Sequence, residues 1–173
     1  ILDEAEEKRL LSYICQPGDI YKVGILTCLY TGIRIGELCA LTWGDIDFSK
    51  KTLTVCKTIQ RIQLNYEETG QKTALLVSSP KSKSSNREIP NPDFLCQRMS
   101  SYISKEILPE QYFLNNSEKM IDPRIIQNYF KKCLRKSDID DKNFHILRHT
   151  CATKCVRLGF DTKTLSEILG HSD

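Results

Sequence analysis

His145, Arg148 and His149 place two imidazoles and a guanidinium within one short stretch, His145-Ile146-Leu147-Arg148-His149-Thr150. On a helix, positions 145 and 148 share a face, and position 149 sits near its edge. A guanidinium is a fixed fork of donors that fits phosphate oxygens. An imidazole exchanges protons near neutral pH. Together they suit a phosphodiester better than a carbonyl or a sugar. Taken alone, the cluster fits equally well a helix N-terminus carrying surface histidines.

Two other segments carry candidate groups. In Thr31-Gly32-Ile33-Arg34-Ile35-Gly36-Glu37-Leu38, Arg34 follows a tight turn and opens a short helix through Leu41. Burial of Ile33, Ile35 and Leu38 would pin the backbone and aim the Arg34 cation into a cleft. Glu37, three residues on, is placed to hold or orient a neighbouring polar group. Lys81, Lys83 and Arg87 cluster around the polar loop Pro80-Lys81-Ser82-Lys83-Ser84-Ser85. A second basic run, Lys131, Lys132, Arg135 and Lys136, reads as a solvated helix face.

The order of these segments, with Leu169-Gly170-His171 last, resembles the catalytic domain of tyrosine recombinases, the phage integrase family. The look is closest to integrases of phages and conjugative elements, and the resemblance covers nearly the whole chain. It implies roles. Arg34 and Arg148 clamp the phosphate from two sides, and His145 exchanges a proton with the attacking hydroxyl. Lys83, chosen over Lys81 by its place in Ser-Lys-Ser-Ser-Asn-Arg-Glu-Ile-Pro, protonates the departing 5′ oxygen. His171 helps hold the phosphate, Glu37 supports the site from behind, and Lys81 and Arg87 contact DNA.

In the family a tyrosine follows the last histidine of the pattern and forms a 3′-phosphotyrosine intermediate. All seven tyrosines here lie upstream of His171, and Asp173 is the last residue. The expectation is therefore that residues 1–173 are a catalytic domain cut before its nucleophile, with no nucleophile within the chain and an N-terminal DNA-binding domain also outside it. Such a fragment would not complete cleavage in cis. The implied partners are double-stranded DNA and further copies of the protein, a tetramer on DNA, with no cofactor and no metal. A non-catalytic DNA-binding module is the alternative. A metal-dependent phosphodiesterase using His145, His149 and His171 with Asp161 or Asp173 is a weaker one. Arg148→Ala is expected to remove activity and leave the fold intact.

Bulk properties agree with an ordinary soluble domain. The 173 residues are 40% hydrophobic and 27% charged, with a net charge of only +3. That charge is too mild to prove a nucleic-acid partner by itself. Eight cysteines in a chain of this length do not read as a disulfide scaffold. Cys28, Cys39, Cys96, Cys133, Cys151 and Cys155 sit in apolar or helical contexts and read as small buried hydrophobes. The acidic stretch Leu2-Asp3-Glu4-Ala5-Glu6-Glu7-Lys8 is not expected to act as a leader, and no apolar run is long enough for a membrane span. The expected location is the cytoplasm.

Periodicity supplies the scaffold. Helices are expected over residues 3–15, 20–30, 34–41, 93–107, 122–136, 145–158 and 161–170. Strand-like runs cover 52–58, 59–66, 73–78 and 87–89. The fold class is α+β, mainly helical with a small antiparallel sheet.

Overall fold

A computed structural model of the chain describes residues 1–79 and 86–170. Its elements, in order, are α1 (Glu4–Ile14), α2 (Ile20–Thr31), α3 (Ile35–Ala40), a 3-10 turn (Trp43–Asp45), β1 (Ile46–Asp47), β2 (Thr52–Val55), β3 (Thr58–Gln63), α4 (Tyr66–Thr69), β4 (Thr73–Ser78), β5 (Arg87–Pro90), α5 (Asp93–Ser100), α6 (Pro123–Lys136), α7 (Ile146–Arg157) and α8 (Thr162–Leu169). The α+β class stands.

Helix starts follow the capping chemistry written in the sequence. Asp3 and Glu6 form a reciprocal capping box at α1, and Asp19, Asp122 and Asp161 cap α2, α6 and α8. Pro123 opens α6, where its missing N–H costs nothing. Helix α2 is the hub. It is apolar nearly all round, with Ile25, Leu26, Cys28 and Leu29 at 1% exposure or less, and it packs against α1, α3, α5, α6 and α7. Gly32 ends it at φ +69°, and its N–H donates to the Cys28 carbonyl. A side chain at Gly32 would meet Leu169 Cδ2 at 2.5 Å, so α8 closes down on this turn. Leu147, on the inner face of α7, is fully buried in the core that α2 organises. Leu147→Ala is expected to cost about 2–5 kcal/mol, to be read as a lower urea midpoint at unchanged m-value.

The strands depart from expectation. Among the described residues they form two sheets rather than one: a three-stranded sheet in the order β1-β2-β5, and a separate hairpin of β3 with β4. The run expected over 52–58 stops at Val55. Strand β2 alternates inward Leu53 and Val55, and it pairs with β1 on one side and β5 on the other. Strand β3 buries Ile59 but is otherwise largely polar, and it pairs with β4. The expected strand to Tyr66 ends at Gln63, because Asn65 caps the short helix α4.

Helix α5 is shorter than the expected 93–107. The Ser100 and Ser101 hydroxyls donate back to the carbonyls of Gln97 and Arg98, a local bond that competes with continuing the helix. Leu95 and Met99 are buried, whereas Phe94 and Ile103 are exposed. All eight cysteines are free thiols, and burial pushes the Cys39 and Cys151 thiols up to about 12. Among the described residues, no helix is long and apolar enough to cross a membrane.

Candidate active site

The turn after α2, the start of α3, the start of α6 and the start of α7 surround one open cleft of about 470 Å³. Arg34, His145 and Arg148 all line it. These residues come from segments more than a hundred positions apart, and α2 brings them together by packing against both α3 and α7.

Arg34 is the N-cap of α3 and is partly exposed to the cleft, its side chain 41% accessible. Its backbone N–H donates to Glu37 Oε2 at 2.8 Å, and its Nη1 donates to Glu37 Oε1 at 3.1 Å. Glu37 therefore fixes both the backbone and the guanidinium of Arg34. The start of α3 is held from below as well. A Cβ on Gly36 would meet the Ile59 carbonyl oxygen at 2.6 Å and Thr58 Oγ1 at 2.5 Å. The carbonyl is backbone and cannot swing aside. Gly36→Ala is expected to push α3 off β3, cost roughly 1–3 kcal/mol and displace Arg34. Thermal unfolding and a crystal structure of the variant check both effects.

Arg148 is deeper, at 4% exposure. Its Nη1 donates to the Gly32 carbonyl and its Nη2 to the Leu169 carbonyl, both at 2.7 Å. It thus ties α7 to the end of α2 and the end of α8. Burial, helped by the Arg34 and Arg87 cations, pushes its guanidinium down to about 10, so it stays protonated at neutral pH. A buried cation beside a second cation is set to receive an anion.

His145 is the N-cap of α7, where the Asn143 side chain accepts from its backbone N–H. Its ring meets that of His149 edge to face, with centroids 4.7 Å apart. The helix itself begins one residue later than expected, at Ile146.

Glu37 is buried and central. Burial alone would raise its carboxyl, but hydrogen bonds from Arg87, the Arg34 backbone and the nearby cations outweigh it and hold the pKa below the ordinary value.

Arg87 corrects the sequence reading. It was expected at a DNA-contacting surface with Lys81, yet its side chain is only 6% exposed. Its Nη1 and Nη2 grip the two Glu37 oxygens, each at 3.0 Å, and its Nε donates to the Ile168 carbonyl at 2.7 Å. It points inward because β5 alternates and position 87 shares a face with the buried Ile89. Lys81, Lys83 and His171 lie outside the described residues.

Two cleft residues were missed. Arg61 on β3 lines the wall; its Nε and Nη2 donate to Asp122 Oδ2 at 3.1 and 2.5 Å, and its Nη1 donates to Thr73 Oγ1 at 2.6 Å. Arg124, in the first turn of α6, lines the same cleft. No local pattern links Arg61 to Asp122, which are 61 positions apart.

The Phage integrase family profile matches residues 1–173. The chain belongs to the phage integrase family. Among curated members, it is 33% identical over 170 residues to a XerC-like tyrosine recombinase of Caldanaerobacter subterraneus subsp. tengcongensis, covering 90% of this chain and 44% of that protein. Among solved members, it superposes on the XerA recombinase with TM-score 0.74 at 26% identity, covering 99% of this chain and 55% of that one. The Tn1549 transposon integrase, solved in complex with circular intermediate DNA, gives TM-score 0.76 at 26% identity, with 99% and 59% covered. This integrase-family chain thus spans about half the length of the relatives it matches.

Proposed function

We propose that this chain is the catalytic domain of a site-specific DNA recombinase that cuts and rejoins DNA strands through a 3′-phosphotyrosine intermediate. One observation carries the reading: two guanidiniums and an imidazole, from distant segments of an integrase-family chain, converge on one cleft.

Negative charge grows on the non-bridging phosphate oxygens as a hydroxyl attacks phosphorus. Arg34 and Arg148 clamp those oxygens, and preorganised donors of this kind each contribute on the order of 3 kcal/mol to the barrier reduction. His145 exchanges a proton with the attacking hydroxyl. Lys83 supplies the proton that leaves with the 5′ oxygen, and His171 helps hold the phosphate. The nucleophile is a tyrosine in a segment outside residues 1–173, and a DNA-clamping domain accompanies this one. The substrate is double-stranded DNA, the working state on it is a tetramer, and the compartment is the cytoplasm.

The test uses the protein extended in both directions along its native gene. It is incubated in chelator with nicked DNA from the ends of its source element. A denaturant-resistant protein–DNA adduct is the expected result. Tight binding with no adduct points instead to a non-catalytic DNA-binding module. An adduct or cleavage product that requires a divalent ion points to a phosphodiesterase.

A further inference from the structure

Arg87 does not line the cleft, but it grips two things that shape it. It takes Glu37 with a two-pronged fork, and Glu37 in turn holds the backbone and side chain of Arg34. Its Nε takes the Ile168 carbonyl at the end of α8. The next two carbonyls, of Leu169 and Gly170, take Arg148 at 2.7 Å and Arg34 at 3.3 Å. Three successive carbonyls therefore each accept from a different guanidinium. Such carbonyls at a helix C-terminus lack intrahelical partners and carry partial negative charge, so they are natural seats for cations.

We propose that Arg87 is a positioning residue for the reaction: by holding Glu37 from behind and fixing the last carbonyls of α8, it keeps Arg34 and Arg148 presented to the phosphate. The claim rests on the recombinase reading given above.

Arg87 offsets the buried carboxylate from the side away from the cleft. Without Arg87, Glu37 draws the Arg34 fork onto itself. Donors that close on Glu37 are lost to a phosphate. The third guanidinium also keeps the group cationic, since a single carboxylate then faces three guanidiniums.

The experiment compares Arg87→Gln, Arg87→Lys and the double variant Arg87→Gln/Glu37→Gln in the extended protein. Cleavage of nicked DNA is followed in single turnover, and DNA affinity is measured separately. Arg87→Gln is expected to lower the cleavage rate by on the order of a hundredfold while affinity stays within about threefold. Arg87→Lys keeps the charge but loses the fork, and it recovers less than roughly tenfold of that loss. The double variant cleaves at least about tenfold faster than Arg87→Gln, because the unbalanced carboxylate is gone.

The pH profile moves in a way that simple loss of folding does not produce. In Arg87→Gln, burial pushes the Glu37 carboxyl up once the Arg87 hydrogen bonds are removed. The other groups facing Glu37 among the described residues are Arg34, Arg148 and Cys28. Guanidiniums and buried thiols do not titrate in the acid range. Protonating Glu37 then frees Arg34, so the deficit of Arg87→Gln narrows as pH falls.

The same proteins without DNA give a readout independent of cleavage. The Arg34 Nε–H nuclear magnetic resonance signal is expected to shift in Arg87→Gln and to return partway in the double variant. A folded Arg87→Gln protein that cleaves within about threefold of the parent, or a double variant no better than the single one, overturns the proposal. Absence of any adduct from the unsubstituted protein counts against the recombinase reading itself. An unmoved Arg34 signal counts against the positioning role alone.

Discussion

Arg148→Ala is expected to slow strand cleavage by the whole protein roughly a thousandfold, and to lower its melting temperature by about 4–8 °C. The kinetic loss follows from removing a cleft-lining cation whose donors are preorganised. The thermal loss follows from its other bonds. Arg148 satisfies the Gly32 and Leu169 carbonyls, and without it both acceptors are stranded at the junction of α2, α7 and α8. Each stranded acceptor costs about 1–3 kcal/mol. Relief of repulsion with Arg34 and Arg87 offsets part of this, leaving a net on the order of 2 kcal/mol. The sequence reading expected an untouched fold. The carbonyl ties add an expected loss of stability to that reading, because Arg148 is a structural tie as well as a candidate phosphate clamp. Single-turnover cleavage and calorimetry on one preparation separate the two effects. Cleavage within about tenfold of the parent means that Arg148 does not meet the reacting phosphate.

Glu37→Ala is expected to be the more damaging change to the fold, costing about 3–5 kcal/mol. Against a total of roughly 5–15 kcal/mol for a domain, that is a large share. The variant leaves Arg87 buried without the carboxylate that accepts both of its prongs, and it removes the cap of α3. The same carboxylate gives the protein an acid-sensitive component of stability. Its folded pKa lies below the 4.5 of an ordinary glutamate. The unfolded chain therefore takes up this proton first as pH falls. The contribution is complete above about pH 4.5 and is lost as pH drops through the folded value. Glu37→Gln is expected to start less stable and to lose less on acidification. Urea midpoints measured between about pH 3 and pH 7 check it, and parallel acid profiles for parent and variant contradict it.

What the sequence disclosed depended on whether a residue's role is local. Helix starts are local, and Asp3, Asp122 and Asp161, where the expected helices begin, cap them in the structure; Asp19, which opened no expected helix, caps α2 in the same way. The candidate residues Arg34, His145 and Arg148 were legible because guanidinium, imidazole and glycine occur in a particular order, and α2 then brings these three to one cleft. Arg87 misled because its neighbours in sequence are lysines, and proximity was read as a shared surface. The corrective signal was present in Arg87-Glu88-Ile89, whose alternation puts Arg87 on the side of the buried Ile89. The division into two sheets was not legible, because it depends on which strand β5 chooses as a partner, and that pairing is long-range. Arg61 illustrates the same limit, since its Asp122 partner is set by tertiary packing alone.

The most direct measurement is peptide mapping of the covalent adduct formed on nicked end DNA by the extended protein, with Arg34→Ala in parallel. The expected result is a single tyrosine joined to a 3′ phosphate, located beyond Asp173, and no adduct in Arg34→Ala. An adduct on one of the seven tyrosines within residues 1–173, a 5′ linkage, or an adduct unaffected by Arg34→Ala would contradict it.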